Sequence, residues 1–112
     1  MTPDMTTPTA PWHTACPFND LPDGDVWPAV VAGRELALFR IDSEVFATDG
    51  ICTHGHARLC TGFVENGEIE CPLHQGRFDI RTGKAQCEPL TEDLKTYPVR
   101  IDGGQVWVEI TG

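Results

Sequence analysis

From Asp25 onward the chain is a succession of short segments rich in Val, Ile, Leu and Phe, separated by turn residues. Val26 to Val31 reads as a strand that Pro28 confines to a sheet edge or a bulge, because proline has no N–H to give to a ladder. Ala32-Gly33 turns into a strand from Glu35 to Ile41, Asp42-Ser43 turns again, and Val45 to Ala47 follows before Asp49-Gly50. Phe63-Val64 and Glu68-Ile69-Glu70 flank Asn66-Gly67, the dipeptide favoured in a tight hairpin whose two central residues take positive φ. Phe78-Asp79-Ile80 then runs into the Arg81-Thr82-Gly83 turn. Tyr97, Val99 and Ile101 alternate with Pro98, Arg100 and Asp102, and Gly103-Gly104 reverses the chain into Val106, Val108 and Ile110. Turns at this spacing predict an all-β antiparallel sandwich or barrel. Leu90 to Leu94 fits either a loop or one helical turn.

Upstream, Trp12 to Cys16 is a short candidate strand closed by Pro17, and Leu21-Pro22-Asp23-Gly24 is a turn. Residues 1–11 contain three prolines and four threonines with little that could pack, and are expected to be a flexible tail. The 112 residues suffice for one domain, taken as 12–112, near the lower size at which a core forms unaided. No apolar run approaches the length of a membrane helix, and the first residues lack the basic and apolar regions of a signal peptide. A cytoplasmic location is therefore expected. The net charge of -9 argues against nucleic acid and anionic membranes as partners.

Two stretches carry candidate chemistry: Cys52-Thr53-His54-Gly55-His56 and Cys71-Pro72-Leu73-His74-Gln75-Gly76. Two thiolates and two imidazoles can hold a zinc ion, or a 2Fe-2S cluster in which His replaces Cys on one iron. Each stretch supplies one Cys and one His, as an asymmetric binuclear cluster needs, whereas zinc modules more often pair like with like. The Asn66-Gly67 hairpin between them would return both loops to one end of a subdomain spanning about residues 50–84, inserted between the Val45 and Tyr97 strands. Of the five cysteines, Cys16, Cys60 and Cys87 are left over, an odd remainder that reads as reduced thiols, with Cys60 a packing residue. His56 reads as a surface residue, and Trp107 and Phe46 as sheet packing. Arg58, Arg77, Arg81 and Lys84 against Asp79 alone make the two loops locally positive.

On these motifs the sequence resembles the Rieske family, specifically the small Rieske-type ferredoxins of bacterial aromatic-ring dioxygenase systems. The resemblance implies a Rieske-type β-sandwich or barrel with an inserted cluster-binding subdomain of two loops. It implies one 2Fe-2S cluster, with Cys52 and Cys71 on the inner iron and His54 and His74 on the outer one. High-potential members carry an extra Cys in each loop, forming a disulfide, and a Ser and a Tyr whose hydroxyls bond to sulfur. Here those positions read Ala57, Leu73, Gly76 and Phe78. Their replacement implies a potential near the low limit of such centres, roughly -150 mV. The implied role is that of a one-electron carrier, not an enzyme, and a monomer. It would pass electrons from an FAD-dependent ferredoxin reductase to the Rieske centre of a terminal oxygenase. Gly55, His56, Ala57 and Gln75 would form its contact surface. Two other readings remain at this point, a small Rieske-like subunit of a nitrite reductase and a zinc-stabilised interaction module. No nucleophile and base pair, phosphate loop or dinucleotide fingerprint is present, so flavin and nicotinamide are expected on a partner.

Overall fold

In the computed structural model, which describes residues 11–53, 57–72, 76–86 and 92–110, the run Leu36-Ala37-Leu38-Phe39 is shielded from water on both faces. Leu36 and Leu38 belong to one buried cluster and Ala37 and Phe39 to another, as alternation along a strand requires. The strand that carries them therefore lies in a middle layer, and its continuous apolar run is the mark of a strand buried on both sides.

The strands are β1 (Trp12–Pro17), β2 (Asp25–Val31), β3 (Arg34–Ile41), β4 (Glu44–Asp49), β5 (Phe63–Glu65), β6 (Glu68–Glu70), β7 (Arg77–Asp79), β8 (Thr96–Tyr97), β9 (Val99–Asp102) and β10 (Gln105–Glu109). Short 3₁₀ turns occupy Phe18–Asp20 and Leu59–Thr61. The strands form three antiparallel sheets with orders β1-β10-β9, β2-β3-β4-β8 and β5-β6-β7. One core, with Leu38, Ala47, Val106 and Val108, joins the first sheet to the central one. The other, with Phe39, Leu59, Ile69 and Phe78, joins the central sheet to the third. No helix among the described residues is long and apolar enough to cross a membrane.

Pro28 lies on β2, at an edge of the central sheet. Asn66 and Gly67 adopt φ of 53° and 77°, as their hairpin requires. The register between β4 and β8 pairs Ala47 with Tyr97 and Thr48 with Thr96, so the chain leaves the central sheet and re-enters it beside its point of departure. Cys52, Cys71 and strands β5, β6 and β7 lie between these two strands in the chain. Two expectations need adjustment. Ile101 is 44 % exposed, because β9 is an outer strand with a neighbour on one side only. Pro11, assigned to the tail, accepts a hydrogen bond from the Ile110 N–H at 2.9 Å, whereas residues 1–10 of that tail lie outside the described residues. The Leu90 to Leu94 segment is described only from Glu92, where it is irregular.

Candidate metal centre

Two loops are built on the same frame. In the first, Ile51 and Arg58 form a bridge and the Cys52 N–H donates to the Ala57 carbonyl at 2.8 Å. In the second, Glu70 pairs with Arg77 and the Cys71 N–H donates to the Gly76 carbonyl at 2.7 Å. Each cysteine is thus the first residue inside a closed loop, fixed by its own backbone. Both side chains are buried, Cys52 at 3 % and Cys71 at 1 % exposure, in the apolar cluster with Leu59, Ile69, Phe78, Ile80 and Leu94. Neither is in a disulfide. His54 and His74 lie outside the described residues, as do Gly55, His56, Leu73, Gln75 and Cys87. Among the described residues no group of three or more His, Cys, Asp or Glu side chains converges on a metal position.

Two thiols at matching positions in an apolar core suit a soft cation such as iron. An ionised thiolate there is costly without a positive partner, and a bound metal ion supplies one. The donor chemistry therefore fits an iron–sulfur group. Three of the positions singled out around the cysteines carry no hydroxyl: Ala57 is a half-buried packing residue, Gly76 offers only backbone, and Phe78 is fully buried in the core. Cys60 packs against the same core, as expected. Cys16 lies away from it on β1, its thiol pushed up by burial and by the charge of Asp20.

Two close backbone approaches hold the loops in place. A side chain at Gly62 would put its first carbon 2.1 Å from the Glu70 carbonyl oxygen, so only glycine lets the Leu59–Thr61 turn sit against β6 just before Cys71. Gly83 has φ of 75° and comes as close to Leu94, whose N–H donates to the Gly83 carbonyl at 2.7 Å. Residues 92–95 form a strap across this end of the molecule. The Thr53 hydroxyl donates to the Glu92 carbonyl at 2.9 Å, and Asp93 Oδ1 accepts from the Ala85 N–H at 2.9 Å. Sequence reasoning missed Thr53, Gly62 and the strap, since their partners lie far along the chain and a turn glycine has no pattern of its own.

The electrostatics differ from the count along the loops. Arg58 pairs with Glu35 of β3 at 3.0 Å, Arg77 lies 3.8 and 3.7 Å from Glu68 and Glu70 of β6, and Arg81 is 3.6 Å from Glu44 of β4. Arg81 also lies over the Phe46 ring, 4.8 Å from its centroid. The local positive excess is therefore matched by carboxylates from outside the loops. At the neck, the Tyr97 hydroxyl donates to Asp49 Oδ1. Burial, then the hydrogen bond to Asp49 and its charge, push the phenol up to about 12, with Arg34 opposing.

Comparison with known proteins agrees with this arrangement. The ferredoxin component of a naphthalene 1,2-dioxygenase system from Pseudomonas aeruginosa is 50% identical over 103 residues, covering 92% of this chain and 99% of its own. The ferredoxin of carbazole 1,9a-dioxygenase from Nocardioides aromaticivorans IC177 superposes with a TM-score of 0.84 at 33% identity, over 88% of this chain and 96% of that one. A ferredoxin chain from a complex of reduced oxygenase and oxidized ferredoxin in carbazole 1,9a-dioxygenase superposes with a TM-score of 0.83 at 32% identity, over 90% and 94%. Residues 11–98 match the Rieske 2Fe-2S domain. With its three sheets, its paired cysteine loops and these relatives, the chain belongs to the Rieske 2Fe-2S domain family, and its cofactor is one Rieske-type 2Fe-2S cluster.

Proposed function

We propose that the chain is a one-electron carrier of the dioxygenase-ferredoxin type, receiving electrons from a flavin-dependent ferredoxin reductase and giving them to a terminal oxygenase. The observation that carries this reading is the pair of buried cysteines in matching closed loops, in a chain 50% identical to a dioxygenase ferredoxin component. Cys52 and Cys71 would hold one iron through their thiolates, and His54 and His74 the other through their imidazoles. When bound, the cluster supplies a one-electron couple. The chain's own part is to fix the two thiols through the Cys52 and Cys71 N–H bonds and to keep water from them with Leu59, Ile69, Phe78 and Leu94. Ala57, Gly76 and Phe78 offer no hydroxyl to sulfur, which favours a potential near the low limit for such centres, roughly -150 mV. The complex of oxygenase and ferredoxin among the structural neighbours supports the oxygenase as partner. The carrier acts as a cytoplasmic monomer in this reading, and its docking is transient because a shuttle must leave each partner.

Cyclic voltammetry of the purified protein, which is expected to be reddish-brown, tests the reading. A reversible couple between about -50 and -250 mV is expected, together with turnover when reductase and oxygenase are added. Cys52→Ser and Cys71→Ser are expected to give colourless protein. A wild-type protein without a couple sinks the carrier, and a tight stoichiometric complex with a sirohaem protein favours a nitrite reductase subunit instead.

A further inference from the structure

Strand alternation gives the β5-β6-β7 sheet two unlike faces. Val64, Ile69 and Phe78 turn into the core that holds Cys52 and Cys71, so Phe63 and Glu65 of β5, Glu68 and Glu70 of β6 and Arg77 of β7 stand on the other face. These five line a groove of about 290 Å³. Phe63 is 67 % exposed there, whereas Phe39 and Phe78 are wholly buried. An aromatic ring left in water on a sheet face adds nothing to either core and suits a contact surface. The charges around it are poorly matched. Glu65 and Glu68 lie directly opposite one another across the hairpin, a like-charge pair that weakens a sheet. Arg77 lies 3.8 Å from Glu68 and 3.7 Å from Glu70, and among the described residues Glu65 has no ion pair. Glu70 immediately precedes Cys71 and pairs with both Phe63 and Arg77, so this row borders the second loop.

Such a face fits a protein that presents lysine or arginine side chains around an apolar recess, the cations meeting the three glutamates and the recess taking the Phe63 ring. Of the two partners in the carrier reading, the reductase has the chemistry for this. It must draw in a nicotinamide dinucleotide, whose pyrophosphate is anionic, and positive potential around its cofactor cleft does so. Passing an electron to an oxygenase sets no such requirement. We propose that the outer face of β5-β6-β7, centred on Phe63 and edged by Glu65, Glu68 and Glu70, is a docking surface for the flavin-dependent reductase. The choice of partner rests on the carrier reading; the face and its charge do not.

The test uses the holoprotein with purified reductase and, separately, with purified oxygenase. Binding to each immobilised partner is read by surface plasmon resonance, and NADH-driven reduction is followed as loss of cluster absorbance at increasing carrier concentration. The variants are Phe63→Ser and the double substitution Glu65→Gln with Glu68→Gln. For the reductase, the double variant is expected to raise Kd and KM about three- to tenfold at low salt, a difference that fades near ~0.5 M salt. Phe63→Ser is expected to raise both about tenfold at either salt. The kcat of reduction, the midpoint potential and the Kd for the oxygenase are expected to stay within about twofold, or unshifted, in both. Because Glu65 and Glu68 repel one another, the double variant is expected to melt no lower than wild type, so weaker docking is not a sign of unfolding. Should Phe63→Ser lose its cluster, the double variant alone decides. Wild-type Kd and KM in the variants overturn the proposal, and so does a weakening that is equal for both partners or confined to the oxygenase. Wild type that binds the reductase unreduced, with the variants binding more weakly, removes the carrier reading and supports the face. Neither binding nor reduction of wild type overturns both.

Discussion

Tyr97 places its hydroxyl on Asp49, three residues before Cys52, and is the chain's single tyrosine. Its phenol is pushed from 10.0 up to about 12 in the folded protein. At a pH between these values the unfolded chain has released the proton and the folded one retains it, so stability falls as pH rises. The contribution is whole below pH 10.0 and is lost by about pH 12. Urea midpoints at pH 8 and pH 11 are expected to fall further in wild type than in Tyr97→Phe, which has no phenol to ionise. At neutral pH the same substitution is expected to cost ~1–3 kcal/mol, because Asp49 loses a donor. Phe78 allows a test of a different kind. Phe78→Tyr puts a hydroxyl into the fully buried core beside Cys71, and is expected to raise the midpoint potential in voltammetry while costing ~1–3 kcal/mol by overpacking. An unchanged potential would show that the new hydroxyl does not reach sulfur.

The β5-β6-β7 sheet is short, and its position depends on backbone contacts more than on area. Gly62→Ala forces a carbon against the Glu70 carbonyl, on the residue that precedes Cys71, and is expected to destabilise the holoprotein by ~1–3 kcal/mol in a denaturant titration. At this scale much of the fold was legible. The strand from Val26 to Val31 and the Asn66-Gly67 turn follow from local residue chemistry, and the structure contains both. The layering was not legible, because an unbroken run such as Leu36 to Phe39 says that both faces are covered without saying by what. The spacing singled out the two cysteines as candidates, yet the matching hydrogen bonds that close their loops end on Ala57 and Gly76, whose side chains carry no signal. The charge of the loops was misread for a similar reason. Arg58 and Arg81 find carboxylates on β3 and β4, which are distant in sequence and adjacent in the folded chain.

Across the whole molecule, the two cores are served by one central sheet, and only one of them contains Cys52 and Cys71. Removing the metal should therefore act unevenly. Iron stripped under reducing conditions is expected to lower the thermal midpoint by on the order of 10 °C, since metal binding energy becomes folding energy. Hydrogen exchange should rise first in β5, β6 and β7, while β1 and β10 keep their protection through Val106 and Val108. Uniform loss of protection would mean that the two cores unfold together.

The side-by-side pairing of β4 and β8 has a consequence for how such a protein can change over time. The insert departs after Asp49 and returns before Thr96, on neighbouring strands, so its two ends are a fixed, short distance apart whatever lies between them. Residues can be gained or lost within the insert without moving any strand of the host sheet. The segment is still not free of its host, because its core takes Val26, Ala37 and Phe39 from β2 and β3, so a strand pair that lacked those side chains would leave its apolar face bare.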